Sequence, residues 1–147
     1  MSFITLKNKI KAVLLTISDI QQVFDYPNQD FDGFPAVVVR TNGNTSEYET
    51  THENDELYSF SLFCFQIQSS ENEEPVYSKQ KARQILEELC DKIRDTFDTD
   101  EFLNGVSMPA GRTLLGVKPT VSDIGEDDSG KYCIAEIKLD IRVSKLI

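Results

Sequence analysis

From Lys131 to Val143 apolar and polar positions alternate: Cys133, Ala135, Ile137, Leu139, Ile141 and Val143 share one parity, and Glu136, Lys138, Asp140, Arg142 and then Ser144 share the other. Ile134 is the one apolar intruder. Period-2 alternation of this length marks a strand with one dry and one wet face, so the dry face requires a covering layer. Two stretches can supply it. Phe3, Leu6, Ile10, Val13, Leu14 and Ile17 recur at helical spacing, with Lys7, Asn8 and Lys11 opposite, which predicts a helix from Phe3 to about Ser18 with Ser2 as its N-cap. A second helix is predicted from about Val76 to Phe97, with an apolar stripe of Ala82, Ile85, Leu86, Leu89, Ile93 and Phe97. Lys79, Lys81, Arg83, Glu87, Glu88, Asp91, Lys92 and Arg94 form its mixed-charge outer face. Asp98, Asp100 and Glu101 follow, where the helix dipole disfavours negative charge, so the helix is expected to fray or turn there.

The other elements are β in character. Ala36 to Thr41 predicts a strand that ends at the turn signal Asn42-Gly43-Asn44, and the polar stretch Thr45 to Glu56 leads into a strand from Leu57 to Ile67. In that strand Tyr58, Phe60, Leu62 and Cys64 share a parity, while Phe63, Phe65 and Ile67 make its far half apolar on both faces. Such a strand ends buried on two sides or against a neighbouring subunit. Thr113 to Val121 reads as a strand in which Pro119 requires an edge or a bulge, and Ser122 to Gly130 closes a hairpin into the last strand. The connection Asp19 to Phe34 carries Pro27 and Gly33, which stop regular structure, and Pro35 follows it directly. Its Val23, Phe24, Tyr26, Phe31 and Phe34 are expected to pack on the domain. The expected fold is one α+β domain over residues 1–147, a mostly antiparallel sheet with two amphipathic helices on one face.

Charge narrows the function classes. The 147 residues include 25 acidic and 15 basic ones, a formal charge of −10, which repels phosphate backbones and anionic lipid. No apolar run is long enough to span a bilayer, and Met1 to Ile17 interleaves Lys7, Lys9 and Lys11 with its apolar residues, unlike a signal peptide. Synthesis in the cytosol without a membrane partner is the expectation. Cys64, Cys90 and Cys133 are odd in number and far apart, which argues for buried reduced thiols over a disulfide framework or a zinc site.

Candidate chemistry is sparse. His52 is the only histidine and lies in a polar stretch, so it reads as a surface residue and not as a catalytic base. Asp123, Gly125, Asp127 and Asp128 suggest a calcium loop, but glycine is missing at its turn and Ile134 stands where the closing glutamate belongs. The glycines form no phosphate cradle. Tyr58, Phe60, Phe63 and Phe65 could stack nucleobases, yet no Arg or Lys lies between Asn42 and Tyr77, and core or subunit packing is the stronger reading. No catalytic residue, cofactor or metal site is expected.

The order of these elements resembles the tail terminator, or tail completion, proteins of long-tailed bacteriophages. The residues that carry the likeness are the helix FITLKNKIKAVLLTI, then DYPNQDFDGFPAVVV with its Gly33-Phe34-Pro35-Ala36 entry into a valine strand, then EYETTHENDELYSFSLFCF. The resemblance implies a non-enzymatic structural protein of the virion at the tail-neck junction. It would form a homo-oligomeric ring, a hexamer, that caps the tail tube and offers a docking surface to the head-completion or connector protein. DNA would pass through the lumen without specific binding. The resemblance also implies that Thr45 to Glu56 and Phe102 to Arg112 leave the domain to touch neighbours, with Tyr48, Thr50, Thr51, Asn54 and Tyr58 as oligomer or tail-tube contacts.

Three other readings compete. A head-closure or other neck component would share the assembly logic. A monomeric acidic adaptor or inhibitor would use the charge to occupy a basic partner. An enzyme with a carboxylate pair and magnesium would need two acids inside an apolar pocket, and no pattern places them there.

Overall fold

The computed structural model describes residues 2–26, 31–48, 53–68, 78–98, 112–128 and 130–146. The elements in chain order are α1 (Ser2–Leu15), β1 (Gln22–Phe24), β2 (Ala36–Tyr48), β3 (Glu53–Ile67), α2 (Lys79–Asp98), β4 (Arg112–Glu126) and β5 (Tyr132–Leu146). The strands form one five-stranded sheet in the order β1-β2-β3-β5-β4, antiparallel except for the parallel β1–β2 pair.

The dry parity of β5 is buried throughout: Ala135, Ile137, Leu139, Ile141 and Val143 are at 0% exposure and Cys133 at 3%. The register carries this layer across the sheet. Phe60 lies opposite Leu139, Leu62 opposite Ile137 and Cys64 opposite Ala135, and on the far side Val37 pairs with Cys64 and Val39 with Leu62. Leu6, Ile10 and Leu14 of α1 and Ala82, Leu86, Leu89, Ile93 and Phe97 of α2 belong to the same core cluster. Phe3 places its ring edge-on at 4.9 Å from Tyr58. α1 includes Ser2 instead of being capped by it, and a turn after Leu15 brings Ile17 and Ile20 into the core. α2 starts at Lys79, where the Ser78 hydroxyl accepts the Lys81 N–H at 3.1 Å as an N-cap should. Val76 and Tyr77 lie outside the described residues.

Four expectations need correction. Asn42-Gly43-Asn44 does not end a strand: β2 runs on to Tyr48, and the register shift between Thr41 and Gly43, where Gly43 adopts φ 142°, is a bulge. The polar stretch around it is therefore ladder, with Thr45 opposite Leu57 and Tyr48 opposite Asn54. The Asp19 to Phe34 connection holds a regular element after all, because Val23 fits against the core and Gln22–Phe24 pairs with Ala36, Val37 and Val38 before the breakers begin. β4 extends from Arg112 to Glu126 through two register shifts, so the link to β5 is short. In that link the Gly130 N–H donates to the Asp127 carbonyl at 3.0 Å, and Gly130 takes the left-handed φ of 72° that the turn needs. Pro119 sits in β4, the edge strand, as its missing N–H requires.

Candidate interaction surface

The face of the sheet opposite the core carries two kinds of side chain, sorted along the strands. Towards the middle runs a hydrogen-bonded chain that crosses four strands. Arg40 of β2 donates from Nε to the Asn42 side-chain oxygen at 3.0 Å, and Asn42 Nδ2 donates to Ser61 Oγ of β3 at 2.7 Å. Ser61 in turn donates to Glu136 Oε2 of β5 at 2.9 Å, and Ser122 of β4 donates to the other oxygen, Oε1, at 2.9 Å. One row away Ser59 donates to Asp140 Oδ1 at 2.9 Å. Both carboxylates are held by hydroxyl donors across strand boundaries, which fixes their orientation in a way that isolated surface acids lack.

Towards the β1 side the same face is aromatic. Phe31 stands 4.9 Å from Phe65, 5.7 Å from Phe34, 5.8 Å from Phe24 and 6.1 Å from Tyr132, ring centre to ring centre. The segment 31–34 thus folds back over the sheet and covers part of the apolar parity that Phe65 exposes. The Asp32 N–H donates to Gln22 Oε1 at 2.9 Å and the Gln21 N–H to the Pro35 carbonyl at 2.9 Å, which ties the segment down at both sides. Gly33 permits the close approach, since a Cβ there would meet Gln21 Cβ at 3.0 Å. Val23, Phe24, Phe31 and Phe34 pack on the domain as expected, whereas Tyr26 is 57% exposed and residues 27–30 of the connection lie outside the described residues; the two-sided strand is covered in part by its own chain. Arg40 lies over the Phe63 ring at 4.9 Å where the aromatic and polar regions meet.

Two shallow hollows open beside the polar chain. One, of about 220 Å³, is lined by Phe63, Ile134 and Gly125 with the acids Asp123, Glu126 and Glu136. The other, of about 300 Å³, is lined by Leu57, Gly116 and Val117 with Lys118, Asp140 and Arg142. Neither gathers a general acid, base and nucleophile, and among the described residues no cluster of three His, Cys, Asp or Glu has the geometry to hold a metal ion.

Of the five contact residues suggested by sequence, Thr50 and Thr51 lie outside the described residues, as does His52. Tyr48 and Asn54 are paired at the distal end of the β2–β3 ladder. Tyr58 is 3% exposed on the core side, where its hydroxyl donates to Glu56 Oε2 at 2.8 Å. Residues 102–111 of the second suggested contact loop are outside the described residues. The Arg40–Asn42–Ser61–Glu136–Ser122 chain was not foreseen. Its parity was visible in each strand, but the cross-strand register that joins its members is not a local property.

The three cysteines are free and buried. The Cys64–Cys90 hydrogen bond, together with burial, holds Cys64 well above the usual thiol range, and the same bond draws Cys90 below it. Burial pushes the Cys133 thiol up.

Compared with protein-family models and with curated proteins, the sequence matches none. In three dimensions it is similar to a chain in the virion of a native gene transfer agent particle, with a TM-score of 0.56 at 10% sequence identity over 95% of this chain and 91% of that one. The two chains share a fold. The coverage means that the likeness takes in the helices and the sheet together and not one supersecondary fragment. No helix among the described residues is long and apolar enough to cross a membrane.

Proposed function

We propose that this chain is a structural virion protein that closes a phage-type tail tube as a ring of six subunits and gives the head connector its docking surface. The observation that carries the reading is the fold shared, over 95% of the chain, with a component of a gene transfer agent virion. The terminator-like order of elements in the sequence agrees with it. In this reading both helices cover the same face of the sheet. The single core cluster uniting Leu6, Ile10 and Leu14 with Leu86, Leu89 and Ile93 supports that layering. The opposite face is then left for assembly. On it the hydroxyl-anchored carboxylates Glu136 and Asp140 alternate with Lys138 and Arg142, a fixed pattern of both charges that suits docking of another virion protein. The role needs no catalysis and no cofactor.

The test is the mass of the purified chain by light scattering over a wide concentration range, followed by electron microscopy after mixing with purified tail tubes. A mass near six subunits, or rings appearing at tube ends, supports the role. A chain that stays monomeric and leaves tube ends bare refutes it.

A further inference from the structure

We propose that Asn42-Gly43 is a self-modification site, at which the Asn42 amide is lost by deamidation through the Gly43 nitrogen, and that the hydrogen bond to Ser61 is the latch that delays it. The inference stands without the ring reading.

The sequence supplies the reacting pair. An asparagine places its side-chain carbonyl carbon where attack by the next residue's backbone nitrogen closes a five-membered ring. A side chain on that next residue shields the nitrogen, and glycine has none. The fold adds access. The register passes from Thr41–Phe60 directly to Gly43–Ser59, so Asn42 is the extra residue of the bulge and has no partner across the ladder. Asn42 is exposed, and a Cβ on Gly43 would meet nothing within 4 Å.

Where the ladder partner is missing, two side-chain hydrogen bonds hold Asn42 in place. Its Oδ1 accepts from Arg40 Nε at 3.0 Å, and its Nδ2 donates to Ser61 Oγ at 2.7 Å. The Ser61 bond is the firmer anchor. Arg40 is exposed, whereas Ser61 is at 0% exposure and is fixed from behind by its own donation to Glu136, which Ser122 also holds. To reach the Gly43 nitrogen, Asn42 Cγ has to turn towards the main chain, which withdraws Nδ2 from Ser61. Breaking the latch therefore precedes ring closure.

The step balances with water alone. The Gly43 nitrogen gives its proton to solvent base and bonds to Asn42 Cγ. The Cγ–Nδ2 bond breaks, and ammonia leaves with a proton from solvent. Water then opens the cyclic imide at one of its two carbonyls. Opening at Cγ gives aspartate, and opening at the main-chain carbonyl gives isoaspartate, whose backbone runs through the former side chain. Neither product fits the site. Ser61 has one hydroxyl proton and gives it to Glu136, so towards Asn42 its oxygen can only accept. An ionised aspartate has no proton to donate there and would set a carboxylate against a buried lone pair. An isoaspartate lengthens the backbone of β2 at a bulge that already carries one residue in excess. The Arg40–Asn42–Ser61–Glu136–Ser122 chain is cut either way, and the loss of ammonia makes the change one-way.

Peptide mapping by mass spectrometry follows residue 42 in the folded chain in mildly alkaline buffer and in the same chain unfolded in urea. The folded parent is expected to convert roughly thirtyfold more slowly than the unfolded chain, the rate equivalent of two hydrogen bonds. Folded Ser61→Ala is expected to convert roughly fivefold faster than the folded parent, the equivalent of one. Leu139→Ala, which weakens the core without touching the latch, should keep the parent's rate. Asn42→Asp, the product made directly, should unfold at a lower urea concentration than the parent. If Ser61→Ala converts no faster than the parent, or Leu139→Ala accelerates as much as Ser61→Ala, the latch is overturned. If residue 42 converts in urea but not at all in folded Ser61→Ala, the folded chain is no substrate for its own reaction and the site is overturned. An Asn42→Asp chain as stable as the parent overturns the misfit of the product.

Discussion

Replacing Phe31 by Ala tests whether the segment 31–34 is part of the folded chain's own core or a cover waiting for a neighbour. The ring is half-buried and meets Phe24, Phe34, Phe65 and Tyr132 at centroid distances between 4.9 and 6.1 Å. A fully buried Phe removes about 150–250 Å² from water, so a half-buried one removes about 100 Å², or roughly 2.5 kcal/mol at 25 cal/mol per Å². The tilted contact with Phe65 adds about 0.5 kcal/mol beyond area, and partial closure of the gap by Phe34 and Tyr132 subtracts a similar amount. The expected loss is about 2.5 kcal/mol, which for a chain of this size lowers Tm by roughly 10 °C. Urea denaturation at a concentration where the protein is monomeric measures it directly. A loss below about 0.5 kcal/mol, with the denaturant slope unchanged, would show that the segment does not hold the outer face. A changed association constant at unchanged monomer stability would assign the Phe65 face to an intersubunit contact instead.

Other outcomes follow from the same structure. Leu139→Ala, at a fully buried position, is expected to cost about 3 kcal/mol in urea unfolding, whereas Leu15→Ala at an exposed position of α1 should leave monomer stability within about 0.5 kcal/mol. Glu136→Ala removes the acceptor shared by Ser61 and Ser122 and should cost about 1–2 kcal/mol, against little for the exposed neighbour Lys138→Ala; equal losses would deny the cross-strand chain any energetic role. Burial raises the Cys133 thiol in the folded state, so the folded chain holds that proton more tightly than the unfolded one. The associated stability is complete below the unfolded thiol pKa and is lost as pH rises through the folded one. Melting curves from pH 7 upward should therefore fall less steeply for Cys133→Ala than for the parent, and parallel curves would refute the coupling.

Much of the core was legible because hydrophobic alternation is a local signal. The parity of Cys133 to Val143 assigned the dry face, the stripe Ala82 to Phe97 assigned the inner side of α2, and Pro119 announced an edge strand. Tyr58 shares its parity with Phe60 and Leu62, and the side chain lies where that parity directs it. The failures occur where backbone pairing, and not burial, decides the structure. Thr45 to Tyr48 and Glu53 to Glu56 have no apolar alternation to betray a strand, yet each is held by a neighbour in the ladder. Asn42-Gly43 carries the composition of a hairpin turn, but one residue of excess in a long antiparallel pair uses the same conformational freedom as a bulge. The surface chain through Ser61 and Glu136 joins residues 75 positions apart, and its partners become neighbours only after β3 and β5 have aligned.

That alignment governs how the chain can fold. The sheet's central seam, β3 against β5, pairs Glu53–Ile67 with Tyr132–Leu146, so it closes only after the whole of α2 and β4 has been spanned. β2–β3 and β4–β5 are hairpins joined by short connections, and each can form on its own early, at small loop-closure entropy. The seam between them has a much longer loop to close and a demanding register, because a slip of one residue would turn Ile137, Leu139 and Ile141 to water and bring Lys138 and Asp140 into the core. Folding is therefore expected to be limited by the docking of two preformed hairpins. Pulse-labelled hydrogen exchange should find the β2–β3 and β4–β5 amides protected before those of the β3–β5 ladder. Until the seam closes, β3 and β5 are both open edges, and the interval in which they stay open is when copies of this chain are most exposed to pairing with one another in the wrong way.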